Sequence, residues 1–233
     1  MQDYYQTSKG GGGVKAPIRF EVIASTSLSL QRLQISRRVL ALVAVALNGM
    51  PLGVSAQDCP TEQSGKSGFV VERGDQQKSD IFHGDGGIVR TVMRYNGVPL
   101  LETTQYEGLF QLDRLDEGRR TKFEPKTDLK KLFPLRPGQT PNAKFTWERE
   151  GQNGVLVVEI SVKGSEDLYI GPCKYSVLKM ERHESHGAGP ARFIYTEYYS
   201  PMLKLSLAKE YHYPGGRTQI IKYDRIYSKP PGR

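Results

Sequence analysis

Strong turn sequences recur through this chain at intervals that leave room for strands but not for long helices. Asn96-Gly97 is the dipeptide most typical of a two-residue β-hairpin, because both positions of that turn need a positive φ. The segments Asp116-Glu117-Gly118, Gly151-Gln152-Asn153-Gly154 and Pro214-Gly215-Gly216 are further turn signals. Turns about ten residues apart, between runs rich in β-branched and aromatic residues, predict an antiparallel meander.

The runs between these turns are the predicted strands. They span residues 88–95, 98–106, 108–115, 119–124, 144–150, 155–162, 203–213 and 217–227. Pro99 indicates an edge or a bulge, and the best helix candidate is short, residues 126–132. We therefore expect a mainly β, single-domain fold: a curved antiparallel sheet or open barrel-like meander with at most one short helix. One sheet should include residues 88–227, with the hairpin at Pro214-Gly215-Gly216 at its C-terminal end.

Residues 37–56 have the three parts of a secretory signal peptide. The pair Arg37-Arg38 is the charged start, residues 39–47 are an unbroken apolar run, and Val54-Ser55-Ala56 is the small-residue cleavage pattern. Cleavage there makes Gln57 the first residue of the mature chain. An uncleaved anchor is the alternative, although the apolar run is shorter than the roughly 20 residues of a spanning helix.

Residues 1–36, which precede this signal, are unusual for a secreted protein. They are either a disordered extension, since their polar and Gly-rich composition cannot bury a core, or the result of a start codon placed too far upstream. The paired arginines leave the export route open between the general secretory and the twin-arginine pathways. In either case we expect residues 57–233 to form one periplasmic or secreted β-domain.

Half of the net charge lies in the part that cleavage would remove. The whole chain carries +8, and residues 1–56 hold six Lys or Arg against two Asp or Glu. The remaining charges alternate in sign, without the dense Lys/Arg cluster of a nucleic-acid-binding surface. We therefore expect no nucleic acid partner and no transmembrane span in the mature chain, and the oligomeric state stays open.

Both cysteines, Cys59 and Cys173, fall in the expected mature part. An even count in an exported chain predicts a disulfide, and two free thiols are the alternative. Neither cysteine has the Cys-x-x-Cys spacing of a redox motif. The bond is therefore expected to be structural, tying the N-terminal tail to a distant strand.

Three segments in the second half carry a family resemblance. Residues 132–139, LFPLRPGQ, are similar to a Trp/Phe-Pro-Leu-x-x-Gly motif, residues 170–177, IGPCKYSV, to a small-residue turn before a strand, and residues 198–205, YYSPMLKL, to a Trp/Tyr-Tyr-Ser-Pro-x-Leu motif. In this order they resemble a family of exported bacterial β-sheet proteins of unknown function, over about residues 131–227. The resemblance implies a periplasmic, largely antiparallel β-domain, with a half-open sheet like those of lipoprotein carriers. It leaves residues 57–130 without a counterpart.

Tyrosine is concentrated near the C-terminus: seven of the thirteen tyrosines lie in the last forty residues. One interpretation is packing, because tyrosine favours strands and cross-strand aromatic pairs stabilise sheets. The other is an aromatic floor for a lipid, glycan or peptide, which would contact apolar rings and hydroxyl tips. The predicted ligand-binding residues are Tyr195, Tyr199, Tyr211 and Tyr213.

The histidine-containing segments are more typical of turns than of a metal site or a phosphate loop. His183 and His186 lie among carboxylates, but their strand runs into the loop 187–190, so a hairpin tip is favoured over a metal site. The Gly-rich segment 83–87 lacks the strand-to-helix context of a phosphate loop. The sequence has no Gly-x-Ser-x-Gly motif and no carboxylate pair with a defined spacing. It therefore predicts no catalytic residue, no metal and no cofactor.

Three functions remain open. The first is non-catalytic binding of a ligand or partner in the cell envelope. The second is a hydrolase of cell-wall or polysaccharide material, whose two carboxyl groups would lie roughly 5–10 Å apart in a cleft that only the fold creates. The third is a structural envelope protein whose sheet edge pairs with another protein.

The signal-peptide interpretation makes a direct prediction. N-terminal sequencing of the periplasmic or extracellular protein should start at Gln57, because the cleavage pattern ends at the residue before it. Recovery of the intact chain from the cytosol would contradict this prediction.

Overall fold

The computed structural model describes residues 59–187, 193–213 and 216–229. Residues 1–36, the predicted signal peptide and its cleavage site at Ala56 and Gln57 lie outside these ranges. The described residues belong to one compact unit. They form a single sheet of thirteen strands, in which all neighbouring strands are antiparallel. The mainly β fold class is therefore confirmed.

The strands are numbered in chain order. They are β1 (Phe69–Arg73), β2 (Gln77–His83), β3 (Ile88–Tyr95), β4 (Val98–Tyr106), β5 (Phe110–Asp116), β6 (Arg119–Pro125), β7 (Asn142–Arg149), β8 (Gln152–Ile170), β9 (Cys173–His186), β10 (Phe193–Ser200), β11 (Leu205–His212), β12 (Thr218–Lys222) and β13 (Arg225–Ser228). Within the described ranges, helical structure is limited to α1 (Ser64–Ser67) and 3-10 turns at Asp85–Gly87 and Leu129–Leu132.

The predicted helix at 126–132 is wrong, since only the 3-10 turn Leu129–Leu132 forms there. Asp128 begins this turn in an extended conformation, and its carboxylate accepts a hydrogen bond from the backbone N–H of Lys130 (3.2 Å). Phe133 ends it, because the residue before a proline is pushed towards extended backbone. Only one turn fits between these two ends.

The sheet is a meander from β1 to β12, in which each strand pairs with the next. Local turn chemistry explains the tight hairpins: Asn96 and Gly97 have φ of 51° and 80°, as the two-residue turn requires. The bulge suggested by Pro99 is present, because Met93 pairs with Leu101 whereas the next residue of β3 pairs with Pro99. Residues 57–130, which had no counterpart in the family resemblance, supply β1 to β6 of this sheet.

The predicted final strand 217–227 is two strands, which is a correction to the sequence analysis. β12 pairs with β11, but β13 pairs with β1 at the opposite edge of the sheet. Between them, the N–H of Tyr223 donates to the carbonyl of Leu207 (3.4 Å). The N–H of Asp224 donates to the carbonyl of Glu72 (2.8 Å). Two residues thus carry the chain from one edge to the other, and the curled sheet stays open because β12 and β13 do not pair.

β9 buries opposite faces of the sheet in its two parts. Near its start the buried residues are Cys173, Tyr175 and Val177, and further along they are Leu178 and Met180. Successive side chains of a strand point to opposite faces, so the change from odd to even numbers is a change of buried face.

β8 makes the same change through a bulge, and it is far longer than the predicted strand 155–162. Its pairing with β9 shifts between Val162 and Gly164, so Lys163 is an extra residue. One extra residue reverses the faces of all the side chains that follow. Ile160 consequently packs in one hydrophobic core and Ile170 in the other.

The sheet therefore wraps around two hydrophobic cores. The first core includes Phe69, Val71, Ile81, Ile170, Tyr175, Leu205, Leu207 and Ile226. The second core includes Phe110, Phe145, Leu156, Val158, Ile160, Met180 and Tyr199. The sheet supplies its own cover on both sides, because so little helix is present to cover either face.

The predicted disulfide between Cys59 and Cys173 is confirmed. The Cα atoms of the two cysteines lie 5.5 Å apart across a sequence separation of 114 residues. Cys173 is fully buried in the first core. The bond thus fixes the segment before α1 to the start of β9.

Reduction of this disulfide should lower the free energy of unfolding substantially. Closing a loop of this length restricts the unfolded chain, and the chain-entropy model puts the effect at up to about 4.7 kcal/mol. Guanidinium denaturation with and without reductant measures the difference. The Cys59→Ser variant is the control and should not respond to reductant. Equal unfolding free energies for the oxidised and reduced wild-type protein would contradict the prediction.

Candidate functional site

A row of aromatic and imidazole side chains lies along one face of β7 to β11, at the end of the second core. At an interstrand spacing of roughly 4.8 Å, a row across these five strands is about 19 Å long. We call this row the aromatic strip. Its members are Trp147, His186, Phe193, Tyr195, Tyr211 and Tyr213.

Strand pairing brings three of the predicted tyrosines into this strip. Residues directly opposite each other in antiparallel strands point to the same face. Tyr195 is opposite Tyr211, and their ring centroids are 5.3 Å apart with an angle of 33° between the rings. Tyr211 in turn is opposite Gln219. The side-chain oxygen of Gln219 accepts a hydrogen bond from the phenol of Tyr213 (3.0 Å), which places Tyr213 beside Tyr211.

The other three members were missed by the sequence analysis. The ring centroid of His186 is 6.5 Å from that of Trp147 and 6.5 Å from that of Phe193, in nearly perpendicular arrangements. Trp147, His186 and Phe193 lie on three different strands, β7, β9 and β10, so the row that they form is not visible as a cluster in the sequence. The usable signal was alternation along β7, where Trp147 follows the buried Phe145 by two residues and shares its face.

The strip is half-buried. Tyr195 is 6 % exposed, and the other five members are of intermediate exposure. Phe145 and Leu156, which are opposite each other, belong to the second core, and Leu156 is also opposite His186. The strip is therefore the rim at which the face of the second core reaches the surface.

An ion network of two cations and two carboxylates adjoins the strip. Arg182 donates through Nε to Oε1 of Glu184 (2.7 Å), and its Nη1 lies 3.5 Å from Oε2 of Glu197. Lys209 Nζ lies 3.1 Å from Oε1 of Glu197. The side chains of Arg182 and Glu197 are only 7 % and 3 % exposed, and Arg182 also donates to the carbonyl of Leu109 (3.0 Å).

The opposite charges keep all four groups ionised despite burial. Burial by itself raises the pKa of Glu197, but Lys209 and Arg182 outweigh it and leave that pKa below the ordinary 4.5. Arg182 lowers the pKa of Glu184 in the same way, against the effect of burial. Because both carboxyl pKa values are lowered on folding, their stabilisation is present at neutral pH and is lost as the pH falls through 4.5 and below.

Charged groups also fix the orientation of the rings in the strip. The phenol of Tyr195 donates to Oε1 of Glu184 (3.2 Å), and Lys209 Nζ lies 4.9 Å from the centroid of the same ring. The guanidinium of Arg217 lies 4.8 Å from the centroid of Tyr213. A cation over a ring face contributes roughly 0.5–1 kcal/mol at exposed sites and more when desolvated.

Tyr199, the fourth predicted tyrosine, lies on the same side of the sheet but deeper. It is 2 % exposed, belongs to the second core, and its phenol donates to the carbonyl of Glu107 (2.7 Å). Burial raises the pKa of this phenol. These contacts give Tyr199 a packing role, and ligand binding by the four tyrosines stays a prediction.

The histidines are dispersed. His183 and His186 are three residues apart on β9 and so point to opposite faces, and Nε2 of His183 lies 2.6 Å from Oε1 of Glu181. His83 ends β2, with Nε2 2.9 Å from the carbonyl of Leu203. Across the described part of the chain, no group of three or more His, Cys, Asp or Glu residues is placed to hold a metal ion. In that same part, none of the helices has the length and hydropathy to span a bilayer.

No protein-family model and no curated protein matches this chain. Among solved structures, the chain is similar to the crystal structure of the hypothetical lipoprotein YmcC from Escherichia coli K12, with 9 % sequence identity and a TM-score of 0.44. The match covers 71 % of this chain and 87 % of that chain. The family resemblance of residues 131–227 stays a prediction, whereas the antiparallel β-domain that it implied is present.

Two tyrosine variants separate a hydrogen-bonded phenol from an unpaired one. Tyr199→Phe should lower the free energy of unfolding by about 1–2 kcal/mol, because it leaves the part-buried carbonyl of Glu107 without its donor. Tyr175→Phe is the matched control: the Tyr175 ring is 2 % exposed, and within the described residues its hydroxyl has no hydrogen-bond partner. That variant should be neutral or stabilising in the same denaturation experiment. An equal loss in both variants would contradict the assignment.

Proposed function

We propose that this chain is an exported, non-catalytic β-domain that binds a ligand of the cell envelope on the aromatic strip. The observation that carries the proposal is the strip itself: half-buried rings from β7 to β11, held by the ion network and by Arg217. Amphipathic rings beside a few fixed polar groups are the usual composition of a ligand-binding surface. The rings supply contact area, and the polar groups supply orientation.

Two features support a site of action outside the cytoplasm. Disulfides persist in the periplasm and outside the cell and are rare in the cytosol, and the bond between Cys59 and Cys173 closes a long loop. Residues 37–56 have the composition of a secretory signal peptide. Together they support a periplasmic or secreted protein.

The two alternative functions have weaker support. A glycoside hydrolase needs a carboxylic acid that stays protonated near neutral pH, whereas the pKa values of Glu184 and Glu197 are both lowered. A structural role through edge pairing needs a long bare edge. The edge strands β12 and β13 are five and four residues long and carry Lys222 and Arg225, features that discourage pairing.

The only tryptophan of the chain, Trp147, lies in the strip, so its fluorescence reports on the site directly. We expect a saturable change in Trp147 emission with at least one of three envelope materials: lipopolysaccharide, soluble peptidoglycan fragments or phosphatidylglycerol vesicles. Tyr213→Ser should weaken that binding by about tenfold, equivalent to the loss of about 1.4 kcal/mol of contact energy.

The control is Tyr169→Ser, because Tyr169 is 54 % exposed on β8 and lies outside the strip. Both variants should keep the wild-type melting temperature. If Tyr213→Ser lowers it, Arg217→Ser, which removes an exposed side chain stacked on Tyr213, serves instead. An unchanged emission with all three materials, or an equal effect of the strip variant and the control, would show the proposal to be wrong.

A further inference from the structure

The strip presents ring surfaces and hydrogen-bonding groups side by side. Glu184 and Lys209, which contact Tyr195, have side chains that are 22 % and 36 % exposed. Gln219 is exposed and lies directly opposite Tyr211. A ligand on the strip would therefore meet an aromatic surface and, within one strand spacing, an acceptor or a donor.

We propose, as a consequence of the proposed function, that the ligand of the strip is an oligosaccharide. A pyranose ring presents C–H groups on its faces and hydroxyl groups around its edge. The C–H faces suit the half-buried ring of Tyr211, which packs against the buried ring of Tyr195. The hydroxyls can donate to Glu184 and accept from Lys209 or Gln219. Each kind of surface in the strip thus has a partner on one sugar unit.

The direction of the strip agrees with a chain-like ligand. A hexose unit in a saccharide chain repeats at about the distance between neighbouring strands of a sheet. A saccharide that crosses from β7 to β11 therefore places successive units over successive strands. Trp147 and His186 would contact one end of the saccharide, and Tyr213 and Arg217 would contact its other end.

Lipid and peptide ligands fit these observations less well. An acyl chain would cover the exposed guanidinium of Arg217 and the exposed parts of Glu184 and Lys209 without replacing the water that hydrates them, which is unfavourable. An extended peptide gains its affinity from backbone hydrogen bonds along a sheet edge. The strip instead runs across the face of the strands, where their backbone groups are already paired.

The ion network also indicates that the saccharide does not need a charge. Arg182 and Lys209 are paired with Glu184 and Glu197, so the network carries no net charge. A neutral saccharide can therefore bind without leaving an unmatched charge. Arg217, stacked on Tyr213, adds a donor at the outer end of the strip for a hydroxyl or carboxylate oxygen.

The test titrates the full mature protein with cellohexaose, chitohexaose, maltohexaose and oligogalacturonate, and with phosphatidylglycerol vesicles as the lipid comparison. We expect a saturable change of Trp147 emission with at least one oligosaccharide. Gln219→Ala should weaken it roughly fivefold, the factor that corresponds to one hydrogen bond of about 1 kcal/mol. The control on the same strand is Ile220→Ala, since Ile220 points to the opposite face and is 62 % exposed.

The outcomes separate this inference from the function on which it rests. If the phosphatidylglycerol vesicles bind in a manner sensitive to Tyr213→Ser while neither an oligosaccharide nor the peptidoglycan fragments bind, the saccharide assignment is wrong and ligand binding by the strip stands. If an oligosaccharide binds equally well to Gln219→Ala, Tyr213→Ser and wild type, it binds elsewhere and the assignment is wrong. If no oligosaccharide, no peptidoglycan fragment, no lipopolysaccharide and no phosphatidylglycerol vesicle binds, both proposals are wrong.

Discussion

The hairpin of β8 and β9 buries one face of the sheet near its turn and the opposite face further along, and the remaining architecture depends on that change. A sheet of thirteen strands needs its apolar face covered, yet the helical segments described here are single turns. Because the buried face changes within the hairpin, the sheet can curl one way around the first core and the other way around the second. Lys163, the extra residue of β8, allows Ile160 and Ile170, which are both even-numbered, to point to opposite faces of the sheet.

The same change explains why tyrosines accumulate near the C-terminus. β10 continues the sheet beside β9 and takes part in both cores, whereas the core residues of β11 belong to the first core. Tyr198 packs in the first core and its neighbour Tyr199 in the second, since adjacent residues of a strand face opposite sides. Tyr195 and Tyr211 lie further towards the rim. What is one cluster in the sequence is thus divided between two cores and the strip.

The features that sequence reasoning predicted are those that local chemistry decides. The turn at Asn96-Gly97 depends on two positive φ values, and the disulfide was predicted from an even cysteine count in a chain expected to be exported. The end of the sheet was mispredicted because it depends on a distant partner. β12 and β13 form one continuous β-pattern in the sequence, and the pairing of β13 with the distant strand β1 separates them. A sequence pattern reflects only neighbouring residues, so it cannot predict pairing with a strand that is distant in the sequence.

Only part of the strip was predicted, because its other members also depend on pairing between strands that are distant in the sequence. Tyr195, Tyr211 and Tyr213 are close in the sequence because they lie on adjacent strands joined by short connections. Trp147 reaches them through the pairing of β7 with β8 and of β8 with β9, which no local pattern fixes. The register of the long hairpin therefore determines which side chains the strip contains.

The ion network fixes the orientation of Tyr195 in the strip without a ligand. Glu184 accepts a hydrogen bond from the phenol of Tyr195, Lys209 lies over the same ring, and Arg182 and Glu197 link these two charges. A ring that is already held loses little rotamer freedom on binding, which reduces the entropy cost of association. Apolar side chains of similar volume often stabilise a core as well as a buried ion network does. They would fill the space but could not orient a phenol, so this ion network, in which Arg182 and Glu197 are buried, is better explained by the geometry of the strip than by stability.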